Sequence, residues 1–273
     1  MIVDAHQHFW RVARGDYGWL TPSLAPLYRD FLPADLKPLL SQNGIDGTFL
    51  VQAAPTVAET EFLLEIAHTT PFVLGVIGWV DLADNGAVAD IARLARHPKL
   101  VGLRPMLQDI AEDDWMLHDA LRPAIAEMIA QGLAFDALVF PRHLPHLRKF
   151  IDCYPDLRVV IDHAAKPDIA GRDFDTWAQE IAAIAQESAV YCKLSGLLTQ
   201  AGDDWTLADL KPYARHLFDH FGAARVMWGS DWPVLNLASS YDNWFSVAKS
   251  LAGVDVAASG VFGQNACAFY KRR

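Results

Sequence analysis

Short runs of apolar, often β-branched residues recur along the chain at positions 2–3, 47–51, 72–80, 100–103, 133–140, 158–161, 190–194 and 225–228. Within each run the apolar residues follow one another instead of alternating with polar ones, as expected of parallel strands covered on both faces. Helical periodicity fills the intervals. Leu117, Leu121, Ile125 and Met128 share one face of a helix that stops at Gly132. Trp177, Ile181 and Ile184 mark a second helix, and Leu207, Leu210, Ala214, Leu217 and Phe221 a third that ends at Gly222. Eight strands over 273 residues give about 34 residues per strand–helix unit, the spacing of an α/β fold of the (β/α)8 TIM-type barrel. No linker or low-complexity stretch divides the chain, so residues 1–273 read as a single domain. Positions 10–38, rich in Trp, Tyr, Pro and Leu, read as an extended loop after strand 1 that either covers a pocket or packs on the barrel exterior.

In such a barrel the reacting groups stand at the C-terminal ends of the strands, so the polar residues that follow the apolar runs are the informative ones. His6 and His8 follow the first run. Two imidazoles one residue apart on an extended segment project toward the same side and can act on one ligand, metal or transferring oxygen. Gln52 follows the second run, Trp79 and Asp81 end the third, and Arg104 follows the fourth. His163 and Lys166 follow the sixth, Asp231 and Trp232 the eighth, while Asp136 lies within the fifth and Lys193 and Ser195 at the seventh. Trp10, Tyr17, Trp19, Trp79 and Trp232 are candidates for a pocket wall, with Gln52 and Gln108 as polar neighbours able to hydrogen-bond a ligand.

Plainer readings stand beside these. Arg104 could pair structurally with Asp136 or Asp109, and Lys193 could sit in a salt bridge inside the barrel, since an unpaired buried ammonium is costly. Lys166 carries the same two readings. Ser195 reads as a packing or capping residue, Cys192 and Cys267 as small core residues. The histidines outside the set His6, His8 and His163 fall in helical or loop stretches and read mostly as surface or capping residues.

Composition narrows the class. Hydrophobic residues make up 52% of the chain and charged residues 21%, ample for a globular core. The net charge of −10 argues against a nucleic-acid partner, which wants clustered Lys and Arg, and leaves room for local arginines to meet an anion. Three widely spaced cysteines, without a Cys-X-X-Cys pair, disfavour both a disulfide framework and a thiolate metal site. No apolar run reaches the roughly 18 residues of a membrane span. Strands that begin at residue 2 leave no room for a signal peptide, which places the chain in the cytoplasm. The acidic surface is compatible with a monomer or a homodimer.

The segments Asp-Ala-His-Gln-His-Phe-Trp, Gly-Leu-Arg-Pro, Ile-Asp-His-Ala-Ala-Lys-Pro, Lys-Leu-Ser-Gly and Met-Trp-Gly-Ser-Asp-Trp-Pro, with Gly-Gln-Asn-Ala near the C-terminus, resemble the amidohydrolase superfamily. More narrowly they resemble its lactonase-type branch (amidohydrolase 2), which includes sugar-lactone and dicarboxylate-lactone hydrolases. The resemblance runs from Asp4 to Tyr270. It implies a (β/α)8 barrel in which His6 and His8 match the strand-1 pair, His163 the strand-6 histidine and Asp231 the strand-8 aspartate. Two departures from the wider superfamily stand out: Arg104 occupies the region of a metal-bridging strand-4 residue, and strand 5 offers no histidine. The resemblance therefore implies at most one divalent metal, Zn2+ or Mn2+, on His6, His8, His163 and Asp231. Lactonases of this branch that work without a metal keep a metal-free mechanism open.

The expected reaction is hydrolysis of a sugar lactone, a small-molecule substrate. Asp231 would take a proton from water, the three histidines or a metal they hold would polarise the carbonyl, and Arg104 would hold a substrate oxygen. The substrate contacts expected are Arg104, Gln52, Trp79, Gln108, Lys193, Trp232 and Trp10. Few arginines at strand ends favour a neutral polyol lactone over a dicarboxylate. Two alternatives use the same set: a metal-dependent non-oxidative decarboxylase, which would normally want the missing strand-5 histidine, and a hydrolase of a dicarboxylate lactone. A non-catalytic barrel that binds a sugar acid is a third, against which the intact His, His, His, Asp set argues.

Overall fold

The computed structural model describes residues 1–257 and 260–272. Eight parallel strands lie in sequence order in one sheet: β1 (Val3–Gln7), β2 (Gly47–Val51), β3 (Val73–Gly78), β4 (Leu100–Leu103), β5 (Ala134–Ala137), β6 (Val159–Ile161), β7 (Tyr191–Leu194) and β8 (Val226–Trp228). Among the described residues the main helices are α1 (Pro33–Asn43), α2 (Val57–Thr69), α3 (Ala87–Leu94), α4 (Arg122–Ala130), α5 (Leu144–Cys153), α6 (Asp175–Glu187), α7 (Leu207–Phe221), α8 (Tyr241–Ala257) and α9 (Gln264–Phe269). The first eight follow the strands in alternation, the (β/α)8 order expected from the spacing of the apolar runs. The sheet closes where the chain after β8 meets the end of β1: Gln7 bridges Trp232, the Asp231 N–H donates to the His6 carbonyl (2.8 Å) and the His8 N–H to the Trp232 carbonyl (2.7 Å).

Two apolar layers result. Outward-facing strand residues such as Leu50, Leu100, Phe135, Ile161 and Leu194 pack under the helices. Val3, Ala5, Phe49, Val51, Ile77, Val101, Val160 and Met227 form a separate inner cluster, to which Ala266 and Phe269 of α9 and the following Tyr270 add, closing the end opposite the strands' C-termini.

Several boundaries differ from the sequence reading. β3 and β5 are shorter than their apolar runs. The helix expected from Leu117 begins at Arg122, with Pro123 in its first turn, and Leu117 and Leu121 belong to two preceding 3-10 turns. Proline lacks the N–H that a helix interior needs, so it favours a helix start. The loop after β1 ends at Leu32, because Pro33 opens α1 in the same way. Trp10 and Phe31 pair across that loop by two backbone hydrogen bonds of 3.0 Å, and both rings are buried.

Candidate active site

The functional side chains are set by the backbone at four strand ends. Along β1, Val3 and Ala5 belong to the inner cluster, while Asp4 points outward to accept from the Tyr241 hydroxyl on α8 (2.8 Å). Strict alternation would send His6 outward as well. The pairing of β1 with β2 shifts register between Asp4 and Gln7, and the shift turns His6 inward, where its Nδ1 lies 3.1 Å from the Lys193 ammonium. Gln7 then faces out to Thr48, and His8 returns to the His6 side, with the two Nε2 atoms 3.2 Å apart.

His163 is presented by an unusual turn. His163, Ala164, Ala165 and Lys166 all have left-handed backbone, with φ of 52°, 52°, 61° and 50°. Such angles disfavour residues other than glycine and are held only where the surroundings over-determine them. The His163 Nδ1 lies 2.8 Å from the Ser195 Oγ after β7. Gly196 makes room for that ring: a Cβ there would stand 2.6 Å from Nδ1. Gly229 does the same for His6, whose own Cβ is 2.6 Å from where a methyl would sit. Asp231 is also left-handed (φ 59°), a conformation aspartate tolerates better than most.

These segments bring His6, His8, His163 and Asp231 together. The Asp231 Oδ1 lies 3.2 Å from His8 Nε2, 3.7 Å from His6 Nε2 and 3.8 Å from His163 Nε2. All four residues are buried. Burial lowers the pKa of His6 well below the ordinary imidazole range, aided by the Lys193 charge, and pushes His163 down to about 4. Burial alone would raise the Asp231 carboxyl, but His163, His8 and His6 outweigh it and hold Asp231 below the usual carboxylate range. Asp231 is thus an ionised carboxylate beside neutral rings of His6 and His163 at neutral pH.

The donor atoms of His6, His163 and Asp231 lie within 4.8 Å of one another, a group that can hold a divalent metal ion. The hydrogen bonding fits that use. His8 Nδ1 donates to the Val51 carbonyl (2.8 Å), which fixes the ring with its Nε2 3.2 Å from the Asp231 Oδ1. His6 Nδ1 faces both the Lys193 donor and the Asp162 Oδ1 acceptor (3.5 Å), and His163 Nδ1 faces a hydroxyl that can play either part. Both rings can therefore carry the proton on Nε2, toward the carboxylate, or on Nδ1, leaving Nε2 free to ligate. Partners beyond the ligands that fix the tautomer are a regular feature of metal-binding histidines.

A cavity of about 200 Å3 opens over this group, lined in part by His8, Arg104, His163 and Asp231. Trp19, Ala53, Met106, Leu138 and Val234 give it an apolar wall, and Gln108, Asp109 and Lys166 a polar one. The Trp19 indole N–H is fixed to the Ala53 carbonyl (2.8 Å), so the loop after β1 does cover the pocket, while its Trp10, Tyr17 and Phe31 rings are buried.

Of the expected substrate contacts, Arg104 and Gln108 lie on the wall. Trp10 and Trp232 are buried against Phe31, and Trp79 lines a neighbouring groove with Trp115. Gln52 lies beneath the wall, its amide donating to the Arg104 carbonyl (2.9 Å). Lys193 lies deeper still, in the salt bridge inside the barrel, 2.6 Å from Asp136 and 2.9 Å from Asp162. Arg104 pairs with Asp162 (3.3 Å) rather than with Asp136 or Asp109, because Asp162 is the carboxylate at the site end of β6. Asp162 and Asp4 escaped the sequence reading. The signal for Asp162 was the buried Lys193, whose charge needs compensation. For Asp4 it was the Ser230 N–H (2.8 Å), a long-range partner invisible in a linear pattern.

Residues 3–272 match the amidohydrolase family. The chain belongs to that family. This amidohydrolase is 50% identical to an L-fucono-1,5-lactonase of Burkholderia ambifaria, over 98% of its own length and 95% of the other. It is 37% identical to an L-fucono-1,5-lactonase of Burkholderia multivorans, over 92% and 88% of the two chains. The crystal structure of an amidohydrolase from Burkholderia multivorans with zinc bound superposes with a TM-score of 0.91 at 34% identity, covering 99% of each chain.

Proposed function

We propose that this amidohydrolase hydrolyses a neutral 6-deoxy sugar lactone, L-fucono-1,5-lactone or a close stereochemical relative, to the sugar acid. The observation that carries the reading is the convergence of three imidazole Nε2 atoms on one ionised carboxylate oxygen at the floor of a cavity of sugar size. The two lactonase relatives support the substrate class. The apolar wall of Met106, Leu138 and Val234 suits the C6 methyl of a 6-deoxy sugar, and Gln108 and Asp109 suit its hydroxyls. Arg104 is already engaged by Asp162 and by the Gln52 carbonyl, which leaves few cationic clamps for a dicarboxylate.

Asp231 accepts a proton from water as the water oxygen bonds to the lactone carbonyl carbon. The carbonyl electron pair moves onto oxygen, where the Nε2–H groups of His6 and His163 and the Arg104 guanidinium stabilise it. The tetrahedral species collapses, the bond to the ring oxygen breaks, and Asp231 returns its proton to that oxygen. A divalent ion on His6, His163 and Asp231 would supply Lewis-acid polarisation of the same carbonyl. Three free cysteines, Cys153, Cys192 and Cys267, fit a reducing cytoplasm.

Acid release from a lactone panel tests the assignment. L-Fucono-1,5-lactone is expected to exceed its 6-hydroxy counterpart, L-galactono-1,5-lactone, and a dicarboxylate lactone in kcat/KM. A preference for the dicarboxylate would overturn the substrate class.

A further inference from the structure

The cavity wall carries two basic side chains, Arg104 and Lys166, and they differ in how far their charge is already met. The Arg104 guanidinium contacts Asp162, His6 and the Gln52 carbonyl. Lys166 forms no ion pair among the described residues. Its ammonium meets the side-chain oxygen of Gln108 at 2.5 Å and stands 5.5 Å from the centre of the Phe140 ring. A partly desolvated ammonium whose hydrogen-bond partner is a neutral amide is poised for an anion. The left-handed turn that presents His163 also presents Lys166, so one strained segment aims both residues at one cavity. Asp231 and Asp109 line the same cavity, and their negative charge would repel an anion that had no cation to receive it.

Lactone hydrolysis creates such an anion, because a neutral ring enters and a carboxylate leaves. We propose that Lys166 is the carboxylate subsite of this cavity. On ring opening its ammonium exchanges the Gln108 oxygen for an oxygen of the new carboxylate, so the protein binds the sugar acid more tightly than a neutral compound of the same shape. The identity of that acid rests on the lactonase reading above.

The test is equilibrium binding of L-fuconate and of its neutral carboxamide to the full-length protein, followed through the fluorescence of its tryptophans, of which Trp19 lines the cavity. Wild type is expected to prefer the acid by about tenfold or more, the scale of a charge-assisted hydrogen bond over a neutral one. Added salt should weaken the acid alone. In Lys166→Gln the two affinities should come within about twofold of each other, on the same scale of interaction. Equal affinities in wild type, or binding of neither compound, overturn the proposal without recourse to any variant. An acid preference that persists in folded Lys166→Gln overturns it as well. Lactone hydrolysis measured in parallel separates the two readings: acid preference without hydrolysis fails the lactonase reading and keeps the subsite, and hydrolysis without acid preference does the reverse.

Discussion

An aspartate that takes a proton from water has to be ionised, and the imidazoles around it have to stay neutral to serve as donors or ligands. Both conditions follow from burial and from the neighbours of each ring. His163 shows the consequence for pH. Its pKa stands at about 4 against an ordinary 6.5, so it gains a proton only as pH falls through about 4. Turnover is therefore expected to be level from pH 7 to 5 and to fall below that. A kcat profile with an acid limb centred near 6.5 would contradict the assignment. The same shift bears on stability: the unfolded chain binds this proton from about pH 6.5 downward while the folded chain refuses it, so stability is lost as pH falls from 6.5 toward 4. His6, His8, His163 and Asp231 could be singled out because each follows an apolar run, and the fold brings the four side chains together. Their supports were less legible. Ser195 read as a packing residue, and only the fold reveals that its hydroxyl meets His163.

Two local elements do most of the positioning, and each breaks a regular pattern. Alternation along an extended segment correctly put His6 and His8 on one side. It could not place that side inside the barrel, which depends on the register shift between Asp4 and Gln7. Nor does hydrophobic periodicity signal a four-residue left-handed turn, since nothing in Asp-His-Ala-Ala-Lys-Pro supplies a glycine. The glycine that permits the arrangement is Gly196, across the barrel wall, with φ of 64°. Gly196→Ala would both strain the backbone and push the His163 ring. It is expected to cost about 1–3 kcal/mol of stability and to lower kcat by more than KM changes. Urea unfolding and lactone kinetics read the two effects, and a variant with wild-type values in both would refute this role for the turn.

At the scale of the molecule, the barrel and its strand order were written in the apolar runs, because parallel strands covered on both faces leave no other pattern. The charged interior was legible only in part: a salt bridge of Lys193 inside the barrel was one of two readings, and its partners were not identified. Lys193, Asp136, Asp162 and Tyr270 meet only after β5, β6, β7 and the chain past α9 have assembled, with the Tyr270 hydroxyl donating to Asp136 (2.6 Å). Burial opposes the charge on Lys193, but the two carboxylates outweigh it and raise its pKa. Lys193→Met would leave Asp136 without a cation and Asp162 with Arg104 alone, at an expected cost of about 3–5 kcal/mol in unfolding free energy. A loss below about 1 kcal/mol, the scale of an exposed pair, would show that the interior charges are not coupled as described.

The reading of the whole chain turns on Asp231. Acid release from L-fucono-1,5-lactone by wild type and by Asp231→Asn, each stripped of metal and each supplied with zinc, tests it most directly. Wild type is expected to turn the lactone over well above the buffer rate. Asp231→Asn, equally folded by circular dichroism, should be slower by about 10^2–10^4-fold with or without zinc, the range of a lost general base. Near-wild-type turnover in the variant, or a wild-type rate no faster than buffer, would contradict the account.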